Sequence, residues 1–513
     1  VTVALPRGDV GARARLAAQA AVVAVALALR VPNLTTGELY RDDAWPALAA
    51  RVDLGHAIRL GVTVPGFELF LRTWLAVSRS TLWAQLPALA ASVLGVVLAY
   101  RIAHRLGAGH VGGLVAAAVL AVSPIAVLYA TRVKQYPFDA LDALLLVACA
   151  VWVRDEPASR RRWLTLLVLA VAAVVFSASV LPVALVTLGF AASAARRGTE
   201  SRRVAATCVA VYGAFVALWA WAVLRSVPPP LHDSWDANYI HHSSPWRLVT
   251  DTWHVLDQFA AGIFYRHGPT GPLLLVALAI GLVVFRRGVA VLLLGPVALA
   301  VVLAALERVP LGGGRIDLYL YPGVALAAGV VVHRLVELVP ALADRAAAVN
   351  VGVVVVVVAF AATAGLRQTR STPYPSGDVR RLTAGVRERA APGDAIVVSQ
   401  FSRYPYALYA PARPRIVFSR SYSTGFTVAS TEPDVLVMPA EYYEPGYDAD
   451  AAVRFAAGRA RVWYIATDTP AFDTPPVIQR NEYVAEDHLV AAGYRVTDRI
   501  EGHGGHADLL VAP

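Results

Sequence analysis

The sequence predicts an α-helical polytopic membrane protein of about eleven transmembrane helices with a C-terminal extracytoplasmic α/β domain, and three observations predict it. Of 513 residues, 57% are hydrophobic and 16% charged, with a mean hydropathy of +0.55, which is too apolar for a soluble enzyme of this length. The charge is segregated: long runs of Ala, Val and Leu hold almost none of it, and the connecting segments hold nearly all. After about residue 370 the chain becomes polar and mixed, with short apolar runs of strand length.

Crossing the hydrocarbon takes roughly 20 apolar residues, fewer inside a bundle. Such runs stand near residues 15–31, 82–101, 111–129, 138–153, 163–177, 180–195, 204–223, 271–285, 289–306, 318–338 and 348–366. The fifth and sixth come from one overlong stretch, divided at Ser177, Ala178, Ser179 and Pro182 as a tight turn. Basic residues precede the first run (Arg7, Arg13, Arg15), as in a signal peptide, but no cleavage site follows and an uncleaved span is expected.

Short loops set the orientation. Arg101 and Arg105, Arg154 with Arg160 to Arg162, Arg196, Arg197, Arg202 and Arg203, and Arg286 with Arg287 fall on one side, which is expected to be cytoplasmic. The other side then receives the loops 32–81, 130–137, 224–270 and 307–317 and the tail. A cytoplasmic-membrane protein is expected, with residues 1–370 as the transmembrane domain and 371–513 as a soluble extracytoplasmic domain. Pro373, Pro375 and Gly377 mark the junction. In the tail, strands are expected at 395–399, 415–418, 435–438 and 462–466 and helices at 378–391 and 482–493, a small α/β domain with a parallel sheet. It contains no Walker loop and no dinucleotide fingerprint.

A net charge of +10 and a pI near 9.7 do not indicate nucleic acid, because the arginines flank apolar runs and form no soluble face. Cys149 and Cys208 lie inside apolar runs, where thiols behave as small hydrophobes. Neither a disulfide framework nor a zinc site follows from them. Among 46 basic Lys and Arg residues a single lysine occurs, Lys134. Either a site there needs an ammonium, or one lysine has survived in an arginine-biased chain.

The residues able to do chemistry collect outside. Tyr40, Arg41, Asp42, Asp43, Ala44 and Trp45 follow the first span by about ten residues. Adjacent carboxylates near a membrane surface are costly and suggest function: a base for an attacking hydroxyl, or ligands for a divalent cation such as Mg or Mn beside a phosphate. The bland alternative is a helix N-terminus. The run Ser123 to Asp139 brings Arg132, Lys134, Gln135, Tyr136 and Asp139 to the same side. Cations there break the positive-inside bias and call for an anionic partner such as a phosphate headgroup, unless they snorkel at the interface. The segment Pro310 to Pro322 carries Gly312, Gly313, Gly314, Arg315 and Tyr319, in which a glycine bend offers N–H groups and Arg315 a clamp, or only a turn. His232, Asp233, Asp236, His241, His242 and His254 fit no ligand spacing, and His503, His506 and Asp508 are expected at the surface.

In this order the motifs resemble the GT-C superfamily of membrane glycosyltransferases, in particular the bacterial branch related to protein O-mannosyltransferases and to the lipid A aminoarabinose transferase. Asp42-Asp43 is similar to the acidic pair of that family's first external loop, where Asp-Glu is commoner. Val64-Pro65-Gly66-Phe67 resembles its later proline-containing stretch, Ser123 to Asp139 its third-span signature, and Gly314-Arg315 through Pro322 a segment ending in proline. The likeness covers about residues 10–370. It implies the GT-C fold and transfer of a sugar, with inversion, from a polyprenyl-phosphate donor in the membrane lipid to an extracytoplasmic glycan, lipid or protein acceptor.

On that resemblance Asp42 is the base and Asp43 its neighbour or a metal ligand. Arg132, Lys134 and Arg315 contact the donor phosphate, and Tyr40, Gln135, Tyr136, Asp139 and Tyr319 position substrate. A phosphate leaving group needs charge stabilisation more than a general acid. Two other readings compete. A transporter would show midplane ionisable groups and related halves, which are not apparent. A non-catalytic assembly protein on the same scaffold is separated only by measured turnover.

Overall fold

A computed structural model describes residues 8–35, 37–52, 55, 64–233, 235–264, 268–339, 345, 348–349, 351–356, 358–359, 363, 378–410, 414–441, 444, 446–467 and 483–513. The chain divides into two compact units, Val1–Asn33 with Leu86–Ala222 and Trp235–Arg370, and Leu34–Gln85 with Val223–Ser234 and Ser371–Pro513.

Helices stand at the first ten places where the apolar runs predict spans: α1 (Gly8–Arg30), α4 (Thr81–Ala103), α5 (Gly109–Val122), α6 (Tyr136–Asp155), α7 (Arg160–Phe176), α8 (Leu181–Ala194), α9 (Thr199–Ser226), α11 (Thr270–Ala305, two expected spans) and α12 (Tyr321–Glu337). Residues of the eleventh run, 348–366, fall partly outside the described residues, as do Pro373, Pro375 and Gly377. The long connecting segments also hold helices: α2 (Arg41–Ala49) and α3 (Pro65–Val77) in 32–81, and α10 (Pro245–Phe264) in 224–270. Five helical stretches are long and apolar enough to cross a membrane among the described residues, consistent with a multi-pass membrane protein.

Two of those stretches, Thr81–Val122 and Thr270–Ala305, each cover two of the expected spans. The 36 residues of α11 extend about 54 Å at 1.5 Å per residue, well beyond the roughly 30 Å hydrocarbon core. The run breaks where charge interrupts the apolar sequence, at Arg286 (φ −154°, ψ 66°). Between α4 and α5, a π-helical turn His104–Ala108 bends at Gly107, whose φ of +80° favours glycine. The long stretch before α8 divides as expected: α7 ends at Phe176, and a 3₁₀ turn Ala178–Val180 leads to Leu181 and Pro182 at the start of α8.

Small residues set the packing of the first unit. Gly112 of α5 and Gly329 of α12 face each other so closely that a Cβ on either would strike the other's carbonyl oxygen. This is how helices approach where no hydrophobic force separates protein from lipid.

In the second unit, strands β1 (Ala395–Val398), β4 (Val435–Val437), β5 (Arg461–Thr467), β6 (Arg495–Gly502) and β7 (Gly505–Val511) form one sheet in the order β4-β1-β5-β7-β6. Strands β4, β1 and β5 are parallel, while β7 and β6 add an antiparallel hairpin. The sheet is therefore mixed, where a parallel one was expected. Strands β2 (Arg415–Phe418) and β3 (Phe426–Ala429) make a separate antiparallel ribbon. Helices α13 (Val379–Arg389), α14 (Arg403–Tyr409), α15 (Asp450–Ala456) and α16 (Val484–Ala491) complete the domain. Val397, Tyr464, Leu489 and Leu510 are in its core.

Candidate functional site

In the first unit the expected site residues gather where α5 gives way to α6. Ser123 and Pro124 end α5, and Pro124 has no N–H for the carbonyl of Leu120 four residues back. Arg30, fully buried at the end of α1, supplies the missing donors: its Nη2 donates to Leu120 O at 2.9 Å and its Nη1 to Ala121 O at 2.7 Å. Its Nε donates to Ser92 Oγ at 2.9 Å. Sequence reasoning missed Arg30, although an arginine that closes the first apolar run, on the side opposite the expected basic face, was itself a signal against the positive-inside bias.

Beyond Pro124, a short helix and the 3₁₀ turn Tyr129–Thr131 lead into extended backbone at Arg132 (φ −91°, ψ 146°). Tyr129 becomes the hub. The Arg132 guanidinium carbon lies 5.7 Å from its ring centre, Tyr136 meets it edge-on at 5.3 Å, and its hydroxyl accepts from Arg315 Nη1 at 3.3 Å. Three expected residues thus converge on a tyrosine that had no assigned role. Arg132 is fully buried and Lys134 is 4% exposed, so neither snorkels into open water. Gln135 is half-buried just before α6.

The glycine triplet is explained locally. Gly312 and Gly314 have φ of +82° and +64°, a region L side chains avoid. A Cβ on Gly312 would come 2.7 Å from Val255 O, and one on Gly313 2.7 Å from the Trp235 ring. Leu311 N donates to Asn238 O at 2.9 Å, which pins the loop. The Arg315 guanidinium then sits 5.5 Å from the Trp235 ring centre. The N–H groups of Gly312 and Gly314 face the buried Asp317 carboxyl, so the bend serves an internal acid. Burial still pushes Asp317 up to about 8, against those two N–H groups. Tyr319, also buried, lies beside Asp317 and Asp139.

Tyr40, Asp42 and Asp43 belong to the second unit. Tyr40 is buried, and its carbonyl accepts from the N–H groups of Asp43 at 2.9 Å and Ala44 at 2.8 Å, which starts α2. Both aspartates occupy the first helical turn, where the positive end of the helix favours anions. Neither is the capping residue. Asp43 is fully buried and Asp42 half-buried. Pro65 opens α3.

The expectation of surface residues at His506 and Asp508 is corrected. Asp508 is fully buried and His506 mostly so, and Glu486 of α16 joins them with ligand atoms within 4.8 Å of one another. The tertiary fold, not sequence spacing, brings the third group in. Arg499, opposite Asp508 in the β6–β7 register, grips both its oxygens at 2.6 Å. A cation would have to displace that fork, so the donor set suits a proton better than a metal. Burial, together with the neighbouring Asp508, raises Glu486 to about 8. His241 pairs with Asp236 at 3.3 Å and Asp251 at 3.4 Å. Among the described residues the histidines of 224–270 form no metal-ligating group.

No protein-family model matches the sequence, and no curated protein matches it. Solved structures do. ArnT from Cupriavidus metallidurans in the apo state aligns over 95% of this chain and 97% of its own, with a TM-score of 0.55 at 13% identity. The same protein bound to undecaprenyl phosphate aligns over 95% and 97%, with a TM-score of 0.54 at 14% identity. The chain therefore shares the fold of ArnT.

Proposed function

We propose that the chain is a glycosyltransferase that moves a sugar from a polyprenyl-phosphate donor to an acceptor outside the cytoplasmic membrane, with inversion. The observation that carries this reading is the convergence of Arg132 and Arg315 on Tyr129, in a fold whose neighbour ArnT has been captured with undecaprenyl phosphate. Lys134 follows Arg132 by two residues, and its N–H bonds back to the Arg132 carbonyl at 2.8 Å.

The chemistry divides between cations and a carboxylate. As the bond from the sugar's anomeric carbon to the phosphate oxygen breaks, its electron pair stays on the phosphate, and Arg132, Lys134 and Arg315 stabilise that charge. The acceptor oxygen attacks the opposite face of the anomeric carbon and gives its proton to Asp42. Partial exposure at Asp42, against full burial at Asp43, supports this assignment. Asp43 orders the turn beside it. Tyr40, Gln135, Tyr136, Asp139 and Tyr319 shape the substrate surroundings. A divalent cation held by Asp42 and Asp43 is the second role for that pair, and chelation separates the two.

The test is incubation of the purified chain in nanodiscs with a panel of polyprenyl-phosphate sugars and candidate acceptors. Release of free polyprenyl phosphate with at least one donor is expected. A folded chain that releases none and binds none overturns the reading.

A further inference from the structure

Three anchors hold residues 38, 39 and 41, just ahead of the acidic pair, and all belong to the C-terminal part of the second unit. Glu38 is 4% exposed, and its two carboxylate oxygens accept from the N–H of Arg380 at 2.9 and 3.0 Å, in the first turn of α13. Such N–H groups have no partner within their own helix and favour an anion. Leu39 N donates to Tyr409 Oη at 2.7 Å. Arg41 lies 4.0 Å from the centre of the Phe401 ring and is ion-paired with Glu441.

The last anchor is itself built into a buried cluster. Glu441 also accepts from Arg403 Nη2 at 3.2 Å. Arg403, fully buried, donates to Pro439 O at 3.1 Å and Tyr404 Oη at 2.8 Å and faces Glu444 at 3.6 Å. Glu444 accepts from the N–H groups of Ser423 at 2.6 Å and Glu441 at 2.8 Å. Two arginines and two glutamates balance, and Glu441, shared by both guanidiniums, joins Arg41 to the interior of the domain.

The place of this cluster in the sheet is informative. Phe401 follows strand β1 by three residues and Glu441 follows β4 by four, and β1, β4 and β5 run parallel. Their carboxyl ends share one edge, the edge at which parallel α/β sheets hold small ligands. Here Arg41, a residue of the same chain, is held at that edge.

We propose that the C-terminal α/β part is a positioning element for the acidic pair, with Glu38, Arg41 and Glu441 as positioning residues. Arg41 and the two aspartates share the first turn of α2, so the anchors at 38, 39 and 41 set the turn's place and rotation. Misplacing a reacting group by about 1 Å costs on the order of a hundredfold in rate. The inference rests on the glycosyltransferase reading.

The experiment compares wild type with Glu441→Gln and Arg41→Gln in the full-length chain. It reads donor turnover together with hydrogen exchange of residues 38–49. In both variants these amides should exchange at least about tenfold faster while α5 and α12 keep their protection, and kcat should fall roughly 10- to 100-fold with the donor KM within about twofold of wild type. Glu441→Asp should recover part of kcat. If Glu441→Gln does not fold, Tyr409→Phe, which removes the hydroxyl that accepts from Leu39 N and also meets Thr81, takes its place with a smaller expected loss in kcat. Unchanged exchange at 38–49, or faster exchange with unchanged kcat, overturns the positioning role. A folded wild type without turnover on any donor overturns the glycosyltransferase reading and the inference that rests on it.

Discussion

Arg30 donates to the carbonyl of Leu120 at 2.9 Å, the acceptor that Pro124 leaves without its helical partner. A buried carbonyl left unsatisfied costs about 1–3 kcal/mol. Arg30→Leu should therefore lower the thermal midpoint of the purified protein by several degrees. Pro124→Ala restores an N–H four residues after Leu120, so the double variant should lose less than Arg30→Leu alone. Additive losses in a double-mutant cycle would refute the link.

Removing a cation from the Tyr129 cluster should act on transfer and not on folding. Arg315→Gln is expected to lower kcat/KM for the donor by about 10²- to 10³-fold, the scale of a lost transition-state donor. Lys134→Arg tests the ammonium. If a compact charge is needed there, arginine should not replace it, and wild-type kinetics in that variant would reduce the lysine to a chance survivor.

Asp42→Asn should cost about 10²- to 10⁴-fold in kcat if Asp42 is the base. A chelator should leave wild-type turnover unchanged in that case. Loss of turnover on chelation, restored by Mg or Mn, would move the acidic pair to the metal role, and undiminished turnover in folded Asp42→Asn would remove Asp42 as the base.

Glu486 gives stability a pH dependence of defined sign. Its folded value is about 8 against an ordinary 4.5, raised by burial and then by Asp508. Between about pH 4.5 and 8 the folded state holds a proton that the unfolded state releases, so this group's contribution to stability declines as pH rises. Glu486→Gln should raise the thermal midpoint at pH 8 and change it little below pH 4.5. An equal shift at both pH values would contradict the buried-proton assignment.

Gly329→Val places a side chain against the carbonyl oxygen of Gly112. Since backbone cannot swing aside as a flexible side chain can, the α5–α12 crossing must open, at a cost above the ~1–3 kcal/mol of ordinary overpacking. Yield of folded protein in detergent should fall sharply, whereas Gly213→Val, with open space about its Cβ position, should be tolerated.

Much of the architecture was legible because partition into a membrane depends on local composition. The first ten apolar runs locate nine helices, one of them covering two runs, and Ser177 to Pro182 marks a true division. Strands β3, β6 and β7 were not legible. β6 (RVTDRIEG) is exposed along most of its length and β7 (GHADLLV) carries Gly, His and Asp, so neither shows the apolar run by which a strand is recognised. Asp508 looked like a surface residue because its partner Arg499 is set by strand register, not by nearby sequence.

The residue types of the candidate site, two aspartates, two arginines and a lone lysine outside the basic face, are properties of the sequence itself, as are the spans that separate them. Hydropathy and charge act residue by residue and need no fold to be read. Only the tertiary structure makes Tyr129 a hub, gives Leu120 its donor from Arg30, and ties Glu38 and Arg41 to residues 342 and 400 positions further along. Those bonds depend on the topology that closes such long loops, and no local pattern of residues encodes it.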